Sequence, residues 1–170
     1  MVAIDLQTGK QLAQDTSHDS GRVYLPDDVT KLVSDPASQI AYHHNHPDSF
    51  PLSPGDLAIM GKRPGLLRIV VHGHNGSLFQ ADRRDSKDFD MALDVAKHEI
   101  WKQTGLARRR GLFLEDLEAH LTCLALSRAG IIDYQFELDD TRKRFYTNEQ
   151  VALDSMVDAA VLKIKRARGL

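Results

Sequence analysis

Apolar positions in the first half of the chain come in short runs broken by Gly, Pro and Asp, a pattern of strands and turns. Residues 2–6 and 11–13 flank Thr8-Gly9 and predict a hairpin, and residues 23–25 predict another short strand. Pro26, Asp27 and Asp28 then open a helix through Lys31 to Val33, because proline and acidic side chains suit a helix N-terminus. Residues 39–43 form the next apolar run. After a polar loop, Ser53-Pro54-Gly55-Asp56 starts a short helix over residues 57–60, with Ser53 at the cap and Pro54 at the first helical position. Residues 66–71 and 77–79 flank His74-Asn75-Gly76, whose Asn-Gly step predicts a second hairpin.

The period then changes. Phe89, Leu93, Ala96 and Ile100 recur at helical spacing and predict a helix ending near Gly105. Leu114, Leu117, Leu121 and Leu124 repeat the pattern up to Gly130, Ile132, Tyr134 and Phe136 alternate as a strand, and Leu153, Val157, Ala160 and Ile164 mark a terminal helix. The expected class is α+β or α/β, a mixed, largely antiparallel sheet flanked by helices with a helical C-terminal half. Residues 1–84 are expected to hold the chemistry, and residues 85–170 to form a helical extension packing on the same core.

Composition narrows the partners. The 170 residues are 42% hydrophobic and 27% charged, ordinary globular usage that excludes a disordered tail or a coiled-coil rod. The formal net charge of -2 leaves no broad basic field, so nucleic acid is not an expected partner. The single cysteine, Cys123, can form neither an internal disulfide nor a thiolate zinc site. With no apolar run long enough for a signal peptide or membrane span, the expectation is a cytoplasmic protein with no membrane partner.

Candidate chemistry is concentrated at His43-His44-Asn45-His46. Side chains alternate faces on a strand, so His44 and His46 point to one side and His43 and Asn45 to the other. Asp56 lies ten residues beyond His46, one turn into the helix that Ser53 starts. Two imidazole nitrogens and one carboxylate oxygen, with a fourth position for water, make the ligand set of a catalytic zinc. Such an ion lowers the pKa of its water from about 16 to roughly 7.

His44-Asn45-His46-Pro47 followed by Ser53-Pro54-Gly55-Asp56 resembles the H-x-H-P and S-x-x-D signature of the JAMM/MPN (JAB-domain) zinc metalloproteases, in their bacterial, phage- or toxin-associated branches. The resemblance implies a curved sheet flanked by helices, with residues 1–84 as a JAB/MPN-like core. It implies zinc on His44, His46 and Asp56, an oxyanion contact from Ser53, and peptide or isopeptide bonds in a peptide or protein substrate. The loop 47–52 is one residue shorter than is common in that family. More consequentially, the family's general base is a glutamate upstream of the histidine pair, whereas Glu99, Glu115, Glu118, Glu137 and Glu149 all follow Asp56. Asp5, Asp15 and Asp19 are the candidate substitutes near the first strands, each one methylene shorter than glutamate. A base supplied by a longer parent protein is one alternative, and a catalytically impaired domain serving as a binding or assembly module is another.

The remaining polar signals have plainer readings. His72 and His74 share a strand face at a hairpin edge and read as solvated. His43 is expected to pack or hydrogen-bond behind the sheet. His98-Glu99 and Glu118-x-His120 lack the spacing of a metalloprotease helix and read as solvated helix faces. Cys123 reads as a small core residue. Arg108-Arg109-Arg110 and the cations from Lys163 to Arg168 are local basic clusters, the latter complementing a helix C-terminus.

Overall fold

Strands β1 (Val2–Asp5) and β2 (Gln11–Gln14) form the first hairpin around Gly9, and helix α1 (Asp27–Ser34) follows, with Pro26 at its N-cap rather than inside its first turn. Strand β3 (Ile40–His46) runs three residues further than its apolar run suggests, so both His44 and His46 belong to it. Helix α2 (Pro54–Lys62) begins where the Ser-Pro signal places it. Strands β4 (Leu66–Gly73) and β5 (Leu78–Arg83) form the second hairpin, with Gly76 at φ 86° in the turn. The computed structural model describes residues 1–15, 26–108 and 116–170. The expectations placed on residues 23–25 and on Asp19, Arg109, Arg110, Leu114 and Glu115 lie outside the described residues.

Helix α3 (Phe89–Arg108) continues past Gly105, because a glycine inside a helix costs only about 1 kcal/mol and does not end it alone. Helix α4 (Leu117–Arg128), strand β6 (Ile132–Glu137) and helix α5 (Asp140–Ala167) complete the chain. The apolar stripe of α5 lies in its C-terminal part. Its first turn is held instead by Asp139, whose Oδ1 accepts the Thr141 and Arg142 N–H groups at 2.9 and 3.1 Å.

The six strands form one sheet in the order β2-β1-β3-β4-β5-β6, with β3 and β4 parallel and every other neighbouring pair antiparallel. The fold is thus the expected α+β arrangement of a mixed, mostly antiparallel sheet with helices. The second half also supplies a strand, β6, which pairs with β5 at the sheet edge.

Strand alternation divides the faces. Ile40, Tyr42 and His44 of β3 stand beside Ile69 and Val71 of β4, and this face packs against Leu57 and Met60 of α2, Ile100 of α3, Leu121 of α4 and Val157 of α5 in one hydrophobic cluster. The opposite face carries Arg68, bonded to Asp82 at 2.6 Å, together with His43, His72 and Gln80. One packed and one polar face is the usual economy of an antiparallel sheet. The two histidines of the motif therefore stand at the C-terminal end of a central strand, on the covered face and at the rim of the core.

Candidate metal centre

The local sequence positions Asp56 as firmly as it does His44 and His46. Ser53 and Asp56 form a reciprocal capping box: Asp56 N–H donates to Ser53 Oγ at 3.1 Å, and Ser53 N–H donates to Asp56 Oδ2 at 2.7 Å. Leu52 before the cap and Leu57 in the first turn are both fully buried, the positions of a hydrophobic staple that sets the angle at which the chain enters α2. Together these features aim the Asp56 carboxylate at the end of β3.

His44 Nε2 lies 3.1 Å from His46 Nε2 and 3.3 Å from Asp56 Oδ1, while His46 Nε2 lies 3.6 Å from Asp56 Oδ2. Ligands about 2.0–2.2 Å from one tetrahedral ion stand about 3.3–3.6 Å apart, so the two carboxylate spacings match a shared metal and the imidazole pair is about 0.2 Å closer. His44, His46 and Asp56 form a group able to hold a metal ion, and among the described residues it is the one such group found. The His46 side chain is 20% exposed against 7% for His44, which leaves the centre approachable from the His46 side.

Proton placement supports the same reading. His46 Nδ1 is 2.9 Å from the Phe50 carbonyl oxygen, an acceptor only, so Nδ1 carries a proton and Nε2 is the nitrogen left to offer a lone pair to the centre. The 3.1 Å approach of His44 Nε2 then requires either a proton on that nitrogen or a cation between the two rings. A histidine whose other nitrogen is fixed by a backbone carbonyl is the usual support for a metal ligand. His44 lacks it: its Nδ1 is buried with no hydrogen-bond partner, and the ring is held by packing against Tyr42, centroids 5.2 Å apart.

Electrostatics keep Asp56 ionised. Burial pushes its pKa up, but the His44 imidazole and the Ser53 hydroxyl and N–H outweigh that and hold it below the usual carboxylate value. Ser53 Oγ donates to Asp56 Oδ2 at 2.7 Å, so the hydroxyl proton is directed to the carboxylate and Oδ1 remains free to face His44. The Tyr42 phenol is pushed up to about 12, first by burial and then by the charges of Asp56 and Asp15, and so remains a neutral donor beside the site.

The upstream aspartates separate clearly. Asp5 pairs with Ile40 at the far end of β3, and its Oδ1 accepts the Gln7 N–H at 2.8 Å in the β1–β2 turn. Asp15 exchanges backbone hydrogen bonds with Met1 at 2.9 and 2.7 Å, which continues the β1–β2 ladder to the end of the sheet where His44 stands. Its charge is felt at the Tyr42 hydroxyl. The Phe50 carbonyl was invisible in sequence, since a backbone acceptor leaves no side-chain signal. Tyr42 was legible, two residues before His44 on the same strand face.

Other histidines settle elsewhere. His72 does not share a face with His74, which lies in the turn; it stacks instead on His43, Nδ1 to Nε2 3.3 Å, on the polar face of the sheet. His120 and Glu99 are not solvated: they are 1% and 7% exposed, and His120 Nδ1 meets the Tyr134 hydroxyl at 2.9 Å. Cys123 is fully buried in the core, as expected. No helix among the described residues is long and apolar enough to cross a membrane. Compared with family models, curated proteins and solved structures, the chain matches none of them.

Proposed function

We propose that the chain is a zinc-dependent hydrolase of peptide or isopeptide bonds, of the kind its His-x-His-Pro and Ser-x-x-Asp motifs resemble. The observation that carries this reading is the convergence of two imidazole Nε2 atoms and one carboxylate at 3.1, 3.3 and 3.6 Å. Nitrogen and oxygen donors at this spacing fit zinc, with one position left for water or substrate. A bound zinc would supply Lewis acidity for polarising a carbonyl and activating water near neutral pH. The chain's own residues do the rest. His44, His46 and Asp56 hold the ion, Phe50 and Ser53 orient His46 and Asp56, and Tyr42 offers a neutral hydroxyl at the wall.

Of Asp5 and Asp15, Asp15 is the carboxylate better placed to take a proton, because the strand register brings it to the same end of the sheet as His44. Proton transfer by a positioned carboxylate typically contributes 10²- to 10⁴-fold. Room for a polypeptide exists nearby: Pro54, next to Ser53, ends a cleft of about 530 Å³ between Lys97 and Trp101 of α3 and Glu118 and Thr122 of α4. Trp101, 63% exposed, gives that cleft an aromatic wall.

A second reading, a metal-holding module without hydrolysis, is favoured by Ser53, whose hydroxyl proton faces Asp56 rather than an incoming oxyanion. Elemental analysis after zinc resupply, together with a casein and isopeptide cleavage assay, tests both readings. One zinc per chain with cleavage lost in His44→Ala supports the hydrolase; one zinc without cleavage supports the module; no transition metal overturns both.

A further inference from the structure

The loop that orients His46 is not held by its own sequence. Ser49 N–H donates to the His46 carbonyl at 2.9 Å, and Ser49 sits at φ 58°, a conformation a non-glycine residue keeps only when its surroundings enforce it. The next residue, Phe50, supplies the carbonyl that fixes the His46 imidazole. The enforcing contacts come from the β4–β5 turn. Asn75 N–H donates to Ser49 Oγ at 3.1 Å, and Ser77 N–H and Oγ–H both donate to Asn75 Oδ1, at 3.0 and 2.7 Å. The junction is tight. A Cβ at Gly73, the residue opposite His46 in the β3–β4 register, would lie 2.9 Å from Asn75 Oδ1 and 2.9 Å from the Ser49 Cβ.

Asn75 also reaches across to the helical half. Its Nδ2 donates to Asp139 Oδ2 at 2.9 Å, where Asp139 caps α5 and takes the Arg142 guanidinium, which is itself paired with the buried Asp116 before α4. A continuous set of hydrogen bonds thus runs from the start of α4 and the cap of α5, through Asn75 and Ser49, to the turn that orients His46.

We propose that Asn75 is a positioning residue for His46, tying the 47–50 turn to the N-cap of α5 so that the orientation of the ligand imidazole depends on the Asn75–Asp139 hydrogen bond. The proposal rests on the metal reading for its consequence and on His46 itself for its test. Asn75→Asp keeps the acceptor used by Ser77 but faces Asp139 with a second carboxylate. The double variant Asn75→Asp/Asp139→Asn restores the bond with donor and acceptor exchanged, and asparagine still serves as a cap; because Asp139 Oδ2 also accepts from Arg142, the double variant is read against Asp139→Asn alone, which gives up that ion pair equally.

Two measurements on the full chain decide it. In the metal-free protein, imidazole ¹⁵N shifts report the Nδ1–H tautomer of His46; Asn75→Asp is expected to move them toward those of an unconstrained histidine, and the double variant to bring them back. With Co²⁺, Asn75→Asp is expected to weaken binding by roughly 10- to 100-fold and alter the visible absorption, with recovery in the double variant. A purely structural role would lower thermal stability while leaving tautomer and Co²⁺ spectrum unchanged, and that outcome overturns the proposal. So does a double variant whose His46 shifts and Co²⁺ affinity are no closer to the parent's than those of Asp139→Asn alone. Failure of the parent chain to take up Co²⁺ refutes the metal reading, and the tautomer shifts then decide the positioning role alone.

Discussion

Ser53→Ala separates a helix cap from a ligand support. The substitution removes the acceptor of the Asp56 N–H, worth about 1 kcal/mol for a serine cap. It also removes the 2.7 Å bond from Ser53 Oγ to the ionised Asp56, and bonds to charged groups contribute about 1.5–3 kcal/mol. The Ser53 N–H to Oδ2 bond survives, so Asp56 keeps one partner. The expected loss is about 2.5–4 kcal/mol, which for a domain of this length lowers Tm by roughly 5–15 °C. Because the same hydroxyl steers Asp56, zinc or cobalt affinity should fall by about 10- to 100-fold, the usual cost of losing a partner that orients a ligand. Ser53→Thr, which keeps a hydroxyl, should recover most of both losses. The assay is thermal denaturation of the metal-free chain beside a Co²⁺ titration. A Ser53→Ala chain that melts within a degree of the parent and binds Co²⁺ equally well would refute the argument that the capping box aims the carboxylate.

His44→Ala should abolish stoichiometric zinc, and excess zinc at 100 times its Kd should stabilise the parent chain by about 2.7 kcal/mol while leaving the variant's Tm unmoved; an equal shift in both would place the ion elsewhere. Asp15→Asn should retain the metal and lose at least 10²-fold of any hydrolysis, whereas Asp5→Asn should be silent; activity surviving Asp15→Asn would remove Asp15 as the base. The folded-state pKa of Asp56 is lowered, so its stabilising contribution is present above the unfolded value near 3.9 and lost as pH falls through the lower folded value. Acid titration of Asp56→Asn should therefore show a flatter stability curve below pH about 4, and an unchanged slope would contradict the assignment. His120, driven from 6.5 to about 3 by burial and then by Arg142, takes up a proton far more readily when unfolded, so stability should fall as pH drops from 6.5 toward 3. His120→Leu should flatten that window in urea titrations at several pH values, even if the variant is less stable overall.

What the sequence determined by itself was local. The Ser53-Pro54 start of α2, the Asn75-Gly76 hairpin and the shared face of His44 and His46 follow from capping, turn chemistry and strand alternation, none of which needs a distant partner. The ten-residue step from His46 to Asp56 pointed to a carboxylate over the histidine pair, because a short loop and a capped helix leave the chain few ways to go. Tertiary structure decided what depends on residues remote in sequence. Which upstream aspartate stands near the site follows from strand register, since Asp5 and Asp15 lie at opposite ends of one hairpin. His120, two residues after Glu118 on its helix, was buried by β6 and α5 folding over it. The fine orientation of His46 rests on a backbone carbonyl and on an asparagine bonded to a helix cap 64 residues away. Periodicity reports the face a side chain takes on its own element, and only packing reports what that face meets.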